Sequence, residues 1–213
     1  MAKFPHSPGA APLARLEPAI RIVPKQTRLA RIYYSRSRYV LRWNEFRHFG
    51  PVNARWDHHL PDSRGVPKEQ ARSIYYAATD AQTCLAELFQ HTRRIDRAFQ
   101  SPWLVVFELE RPLELLDLTG DFATRIGASM KIHSGSRARA RGWARHLYDA
   151  YPSIQGILYA SSMNGGAPAL AMNDRAEGEG FFPSHPLLHR ALADDVLLDA
   201  LKYAADRLGY ALR

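Results

Sequence analysis

Short runs of apolar, β-branched and aromatic residues punctuate this chain between longer amphipathic stretches, and the two patterns predict different elements. Arg31-Ile-Tyr-Tyr, Ser73-Ile-Tyr-Tyr-Ala and Pro102-Trp-Leu-Val-Val-Phe-Glu-Leu read as strands. So do Leu113-Glu-Leu-Leu-Asp-Leu and Gly156-Ile-Leu-Tyr-Ala-Ser, with Ala167-Pro-Ala-Leu-Ala-Met-Asn as the neighbour of the last. Residues 80–92 have helical period, with Thr79 or Asp80 as the cap and Ala81, Cys84, Leu85 and Leu88 on one apolar face. Arg137 to Tyr151 predicts a second helix, turning Trp143, Ala144, Leu147 and Tyr148 inward and Arg137, Arg139, Arg141 and Arg145 to solvent. Asp194 opens a C-terminal helix whose buried face is Leu197, Leu198, Leu201, Ala205 and Leu208.

Loops separate these elements. Residues 42–56 are aromatic and basic and are broken by Gly50-Pro51, and Pro61 to Pro67 forms a second loop. Strands interspersed with helices, several too closely spaced for crossover units, predict one compact α+β domain around a mixed β-sheet with flanking helices. Prolines at 5, 8, 12, 18 and 24 set residues 1–28 apart, as an extended arm over the domain or a partly ordered tail ahead of a domain at 29–213.

Composition narrows the class of protein. A length of 213 residues suits one domain. A single cysteine, Cys84, excludes an intrachain disulfide and a cysteine-based zinc cluster, which fits a reducing cytoplasm. On the apolar face of its helix, Cys84 reads as a buried, inert thiol. No apolar run approaches the ~20 residues of a membrane helix, and the first residues lack the apolar core of a secretory signal. The expectation is a soluble cytoplasmic protein without membrane contact.

Net charge is +8, which raises nucleic-acid binding as an alternative function. Its distribution weakens that reading, because residues 1–56 hold 11 Lys/Arg against two acids while the rest is close to neutral. Such a block suits nucleic acid, an acidic partner protein or the phosphates of a small ligand.

Standard catalytic motifs are absent: the chain has no Walker loop, no G-x-G-x-x-G, no G-x-S-x-G and no H-E-x-x-H. His58 and His59 are adjacent, which disfavours joint metal binding and predicts loop histidines on a solvated surface. Five residues remain as candidates. Arg31 stands at the head of a strand, and Arg55 lies in Asn-Ala-Arg-Trp-Asp. Tyr76 ends a strand in Tyr-Tyr-Ala-Ala-Thr, Glu87 follows in Cys-Leu-Ala-Glu-Leu, and Ser161 closes Ile-Leu-Tyr-Ala-Ser-Ser.

In that order and spacing the chain resembles the RES domain family, the toxin halves of bacterial toxin–antitoxin pairs, over roughly residues 28–175. Two departures stand out: Asn53-Ala54 where many members carry a glycine pair, and Ala160 where proline is common. The resemblance implies an ADP-ribosyltransferase-type fold and an enzyme that consumes NAD+ as substrate, with no prosthetic group and no metal. Hydrolysis, phosphorolysis and transfer of ADP-ribose to a protein all remain open. It also implies a cognate Xre-type antitoxin and allows a homodimer within that complex. Carried onto this chain, Arg31 and Arg55 become ligands of the pyrophosphate or ribose phosphate and Tyr76 a stacking face for nicotinamide. Glu87 becomes the carboxylate beside the reacting ribose carbon, and Ser161 the hydroxyl that holds the amide or ribose. Alternation does not decide whether Ser161 or Ser162 faces the site.

Overall fold

Tyr75 and Tyr76 are neighbours in sequence yet pack into different hydrophobic clusters, because successive side chains of an extended strand point to opposite faces. Their strand lies inside the sheet around which the protein is built. The computed structural model describes residues 4–37 and 40–213. It opens with a one-turn helix α1 (Ala10–Leu13) and strands β1 (Ile20–Val23), β2 (Arg28–Tyr34), β3 (Arg47–Gly50) and β4 (Lys68–Ala78). Helix α2 (Ala81–Leu88) leads to β5 (Arg94–Ile95), β6 (Pro102–Glu108) and β7 (Leu113–Asp117), then to α3 (Phe122–Arg125) and α4 (Arg137–Ala150). Strands β8 (Gly156–Ala160), β9 (Pro168–Asn173) and β10 (Leu188–Ala191) precede α5 (Leu198–Leu208) and β11 (Ala211–Leu212).

Nine strands form one mixed sheet in the order β1-β7-β8-β9-β4-β2-β6-β10, with β3 paired to β4. Among the described residues only β7 and β8 run parallel within it, and the remaining pairs are antiparallel. A separate parallel pair joins β5 and β11. The architecture is a single α+β domain, as the element pattern predicts. One face of the sheet buries Trp143, Ala144 and Leu147 of α4, Leu85 of α2 and Leu201 of α5; the other carries Phe46, Tyr75, Phe107 and Phe181. No helix among the described residues is long and apolar enough to cross a membrane.

Several boundaries differ from the pattern, for physical reasons. Arg31 lies in the middle of β2 rather than at its head, since Arg28-Leu-Ala pairs with Glu108, Phe107 and Val106 of β6. Helix α2 stops at Leu88, shorter than the amphipathic period suggests, and the C-terminal helix begins as a 3-10 turn at Asp195 that Asp194 caps. Inside the loop of residues 42–56, Arg47–Gly50 pairs with β4. Along the first 28 residues, Phe4 and Leu13 are buried and β1 adds an edge strand beside β7; residues 1–3 lie outside the described residues.

Part of the basic first quarter is matched within the fold. Arg21 pairs with Asp117, Lys25 with Glu110, Arg28 with Glu108 and Arg47 with Asp57, so acids from later in the chain answer part of its charge.

Candidate active site

The centre of the sheet is where the site forms. Strands β2 and β4 keep a single paired position, Ala30 with Ala78, whereas β2 pairs along its length with β6 on its other side. A cavity of about 670 Å³ opens at this gap, lined by Arg31 to Tyr34 of β2 and by Ile74 and Tyr76 to Ala78 of β4. Its size suits a ligand of dinucleotide class. Arg31, Arg55, Tyr76 and Glu87 all line it.

Glu87 comes from α2. Asp80 caps that helix, its carboxylate accepting from the Thr83 amide at 2.7 Å and the Thr83 hydroxyl at 2.8 Å. The turn between β8 and β9 clasps the same helix. Gln82 donates to Asn164 Oδ1 at 2.9 Å, and Asn164 donates to Thr83 Oγ1 at 2.8 Å. Gly165 and Gly166, both at positive φ, allow that turn to close. Glu87 lies in the last turn of α2, where the helix dipole disfavours a carboxylate.

Ser161 and Ser162 divide their roles. Ser161 is fully buried and donates to Glu87 Oε1 at 2.5 Å, so it stands behind the carboxylate; Ser162 is exposed and lines the cavity. On the other carboxylate oxygen, Gln90 Nε2 lies 3.4 Å from Glu87 Oε2.

The guanidiniums approach from other elements. Arg31 lies with its Cζ 4.0 Å from the centre of the Tyr75 ring and donates to the Glu45 carbonyl at 3.3 Å. Arg55 donates through Nη1 to the carbonyls of Gly135 at 2.7 Å and Ile132 at 3.2 Å. Burial, and then the positive charge of Arg137, push its pKa below the ordinary value against the opposing pull of Glu87. Among the described residues no carboxylate comes within 4.0 Å of Arg31, Arg55 or Arg137. Tyr76 lines the cavity with its hydroxyl buried, and burial raises its pKa.

Two sets of residues differ from the sequence pattern. His58 and His59 are buried at 4% and 0% exposure, not solvated. His59 Nδ1 lies 2.6 Å from Asp57 Oδ1, and the other Asp57 oxygen accepts from Arg47 Nη2 at 2.9 Å and the Val52 amide at 2.7 Å. Gly50 is required beside them, because a Cβ there would meet the His59 ring at 2.5 Å. His58 stacks on Tyr148 at 4.5 Å between centroids and approaches Asp174 at 3.5 Å. These partners lie up to 116 residues away, beyond what local pattern shows. The arginines of α4 are half-buried rather than a solvated face: Arg139 bonds to the Phe4 carbonyl, Arg141 to Asn53 Oδ1 at 3.1 Å, and Arg137 lines the cavity.

Arg47, Arg137, His91, Trp56 and Tyr159 also line the cavity without having been singled out by sequence. The Ala-Arg-Trp and Leu-Tyr-Ala segments that hold Arg55 and precede Ser161 were the available signal for Trp56 and Tyr159. Cys84 is buried, donates to the Ala30 carbonyl at 3.2 Å, and has its thiol pKa raised by burial, consistent with an inert role. Among the described residues no three His, Cys, Asp or Glu side chains converge to hold a metal ion.

The RES domain matches residues 28–191. A chain in the crystal structure of the M.tuberculosis MbcT-MbcA toxin-antitoxin complex superposes with a TM-score of 0.47 at 16% sequence identity, covering 78% of this chain and 86% of that one. No curated protein matches the sequence.

Proposed function

Because the chain belongs to the RES domain family, we propose that it is the toxin of a toxin–antitoxin pair and that it breaks the nicotinamide–ribose bond of NAD+. One observation carries this reading: a carboxylate, Glu87, is fixed by Ser161 at a cavity whose guanidiniums Arg31 and Arg55 have no carboxylate partner among the described residues. NAD+ asks for both kinds of charge, cations for its pyrophosphate and an anion for the reacting ribose.

The roles follow from the chemistry. Arg31 and Arg55 hold phosphate oxygens with forked N–H donors that a lysine does not reproduce. The Tyr76 ring accepts the flat, cationic nicotinamide for about 0.5–2 kcal/mol. As the C–N bond lengthens, positive charge builds on the ribose and the Glu87 carboxylate stabilises it. Ser161 holds that carboxylate in place, and Ser162 offers its hydroxyl to the ribose or the amide. The bonding pair leaves on the nicotinamide nitrogen, which becomes neutral. An oxygen of water or phosphate forms the new bond to the sugar carbon, and with water one proton is released. Transfer to a protein acceptor is the alternative outcome of the same bond cleavage. A cognate Xre-type antitoxin restrains the activity in the cytoplasm.

The test is to incubate the protein with NAD+, with and without orthophosphate, and identify the products by mass. Free nicotinamide is expected in at least one condition, with ADP-ribose or its phosphate naming the acceptor. Intact NAD+ in both conditions and in the presence of cell proteins would overturn the reading.

A further inference from the structure

Two arginines from distant segments cross at the cavity wall. Arg55 reaches the carbonyl of Gly135, two residues before Arg137, at 2.7 Å. Arg137 reaches back to the carbonyl of Asn53, two residues before Arg55, at 3.4 Å. Each guanidinium is therefore anchored by the backbone that carries the other, and both line the cavity. Among the described residues neither has a carboxylate within salt-bridge distance. The remaining close partner of Arg137 is His91 Nε2, at 2.6 Å, a ring nitrogen that accepts from it and supplies no negative charge. Arg145, on the same helix, neither lines the cavity nor takes part in this arrangement.

Two cations anchored to each other's backbone in a half-buried wall repel one another, and the carbonyls that hold them bring no net negative charge. Burial first and the charge of Arg137 second lower the pKa of Arg55, against the pull of Glu87. A tetrahedral anion with several oxygens answers both forks at once. We propose that Arg55 and Arg137 form a two-guanidinium clamp for a phosphoryl group, with Arg137 a binding residue of the site. The clamp itself follows from the geometry. Only the source of its phosphoryl group rests on the NAD+ reading: the pyrophosphate of the dinucleotide, or a free orthophosphate that accepts the ADP-ribose.

Calorimetric titration of the full chain with inorganic pyrophosphate, orthophosphate and ADP-ribose tests this, comparing the parent with Arg137→Gln and with Arg145→Gln as the charge control. Arg137→Gln is expected to weaken at least one probe about 10- to 100-fold, the effect of losing a charged hydrogen-bond donor, while Arg145→Gln matches the parent. Weakened ADP-ribose together with a raised KM for NAD+ identifies the substrate pyrophosphate. Weakened orthophosphate, with orthophosphate-dependent turnover lost and ADP-ribose binding kept, identifies the acceptor. Arg137→Lys, which keeps the charge and the helix, is the second variant should Arg137→Gln fail to fold, and intermediate weakening is expected for it. A parent that binds pyrophosphate but leaves NAD+ intact supports the clamp and overturns only the proposed reaction. Parent-like affinity of Arg137→Gln for all three probes, or a parent that binds none of them, overturns the clamp.

Discussion

Ser161 Oγ donates to Glu87 Oε1 across 2.5 Å, joining the end of β8 to the last turn of α2 over 74 residues of sequence. The serine is fully buried, so in the proposed reaction its part is played through the carboxylate it orients. Ser161→Ala is expected to lower kcat about tenfold, the worth of one strong hydrogen bond, with KM for NAD+ kept. Ser162→Ala, at the cavity surface, is expected to raise KM instead. Steady-state kinetics of the two variants check the split, and a raised KM with unchanged kcat for Ser161→Ala would contradict it.

Arg31→Lys and Arg55→Lys keep net charge while removing a planar fork. A point charge does not hold two phosphate oxygens in the same way, so KM for NAD+ is expected to rise about tenfold or more in each. Arg31→Lys also gives up the placement over the Tyr75 ring at 4.0 Å. The concentration dependence of NAD+ consumption is the measurement, and parent-like curves for both variants would show that neither fork holds substrate.

How far the site was legible beforehand depended on where each signal lay. Strands such as Pro102–Glu108 and Gly156–Ala160 are apolar through their own sequence and were readable within a residue or two. The order Arg31, Arg55, Tyr76, Glu87 pointed to residues that do converge, although they come from two strands, a loop and a helix. Edge strands β1 and β10 were not readable, because Ile20–Val23 and Leu188–Ala191 are only four residues long, the second half polar, and become strands only through pairing with β7 and β6. Arg137 was misassigned to solvent because helical period reports only a polar face. Here that face meets the loop at Asn53 instead of water. His58 and His59 were misassigned for the same kind of reason: their burial rests on Asp57, Tyr148 and Asp174, partners that spacing along the chain does not reveal.

The buried Asp57 makes stability depend on acidity. Burial pushes its carboxyl pKa up, yet the His59 hydrogen bond, the Arg47 charge and the Val52 amide outweigh that and hold it well below the ordinary 3.8. A depressed folded value stabilises the fold above 3.8, and that contribution is lost as pH falls towards the folded value. His58 is also depressed, by burial against the pull of Asp174, so its contribution is full above 6.5 and declines below it. Denaturant unfolding from pH 8 to pH 3 should show stability falling in the acid limb, beginning near 6.5. Asp57→Asn should lose about 3–5 kcal/mol at neutral pH by leaving Arg47 and His59 without their buried anion. An unfolding midpoint equal to the parent's would contradict this.

The most direct measurement is nicotinamide release from NAD+ by the parent protein and by Glu87→Gln, with unfolding curves run alongside to show that both are folded. Glutamine keeps the shape and a hydrogen-bonding oxygen for Ser161 but removes the charge that the proposed reaction sets against the ribose. The expected result is release by the parent and a rate about 10²–10³ lower for Glu87→Gln, comparable with removing one preorganised electrostatic group. Release at the parent rate by folded Glu87→Gln would contradict the account.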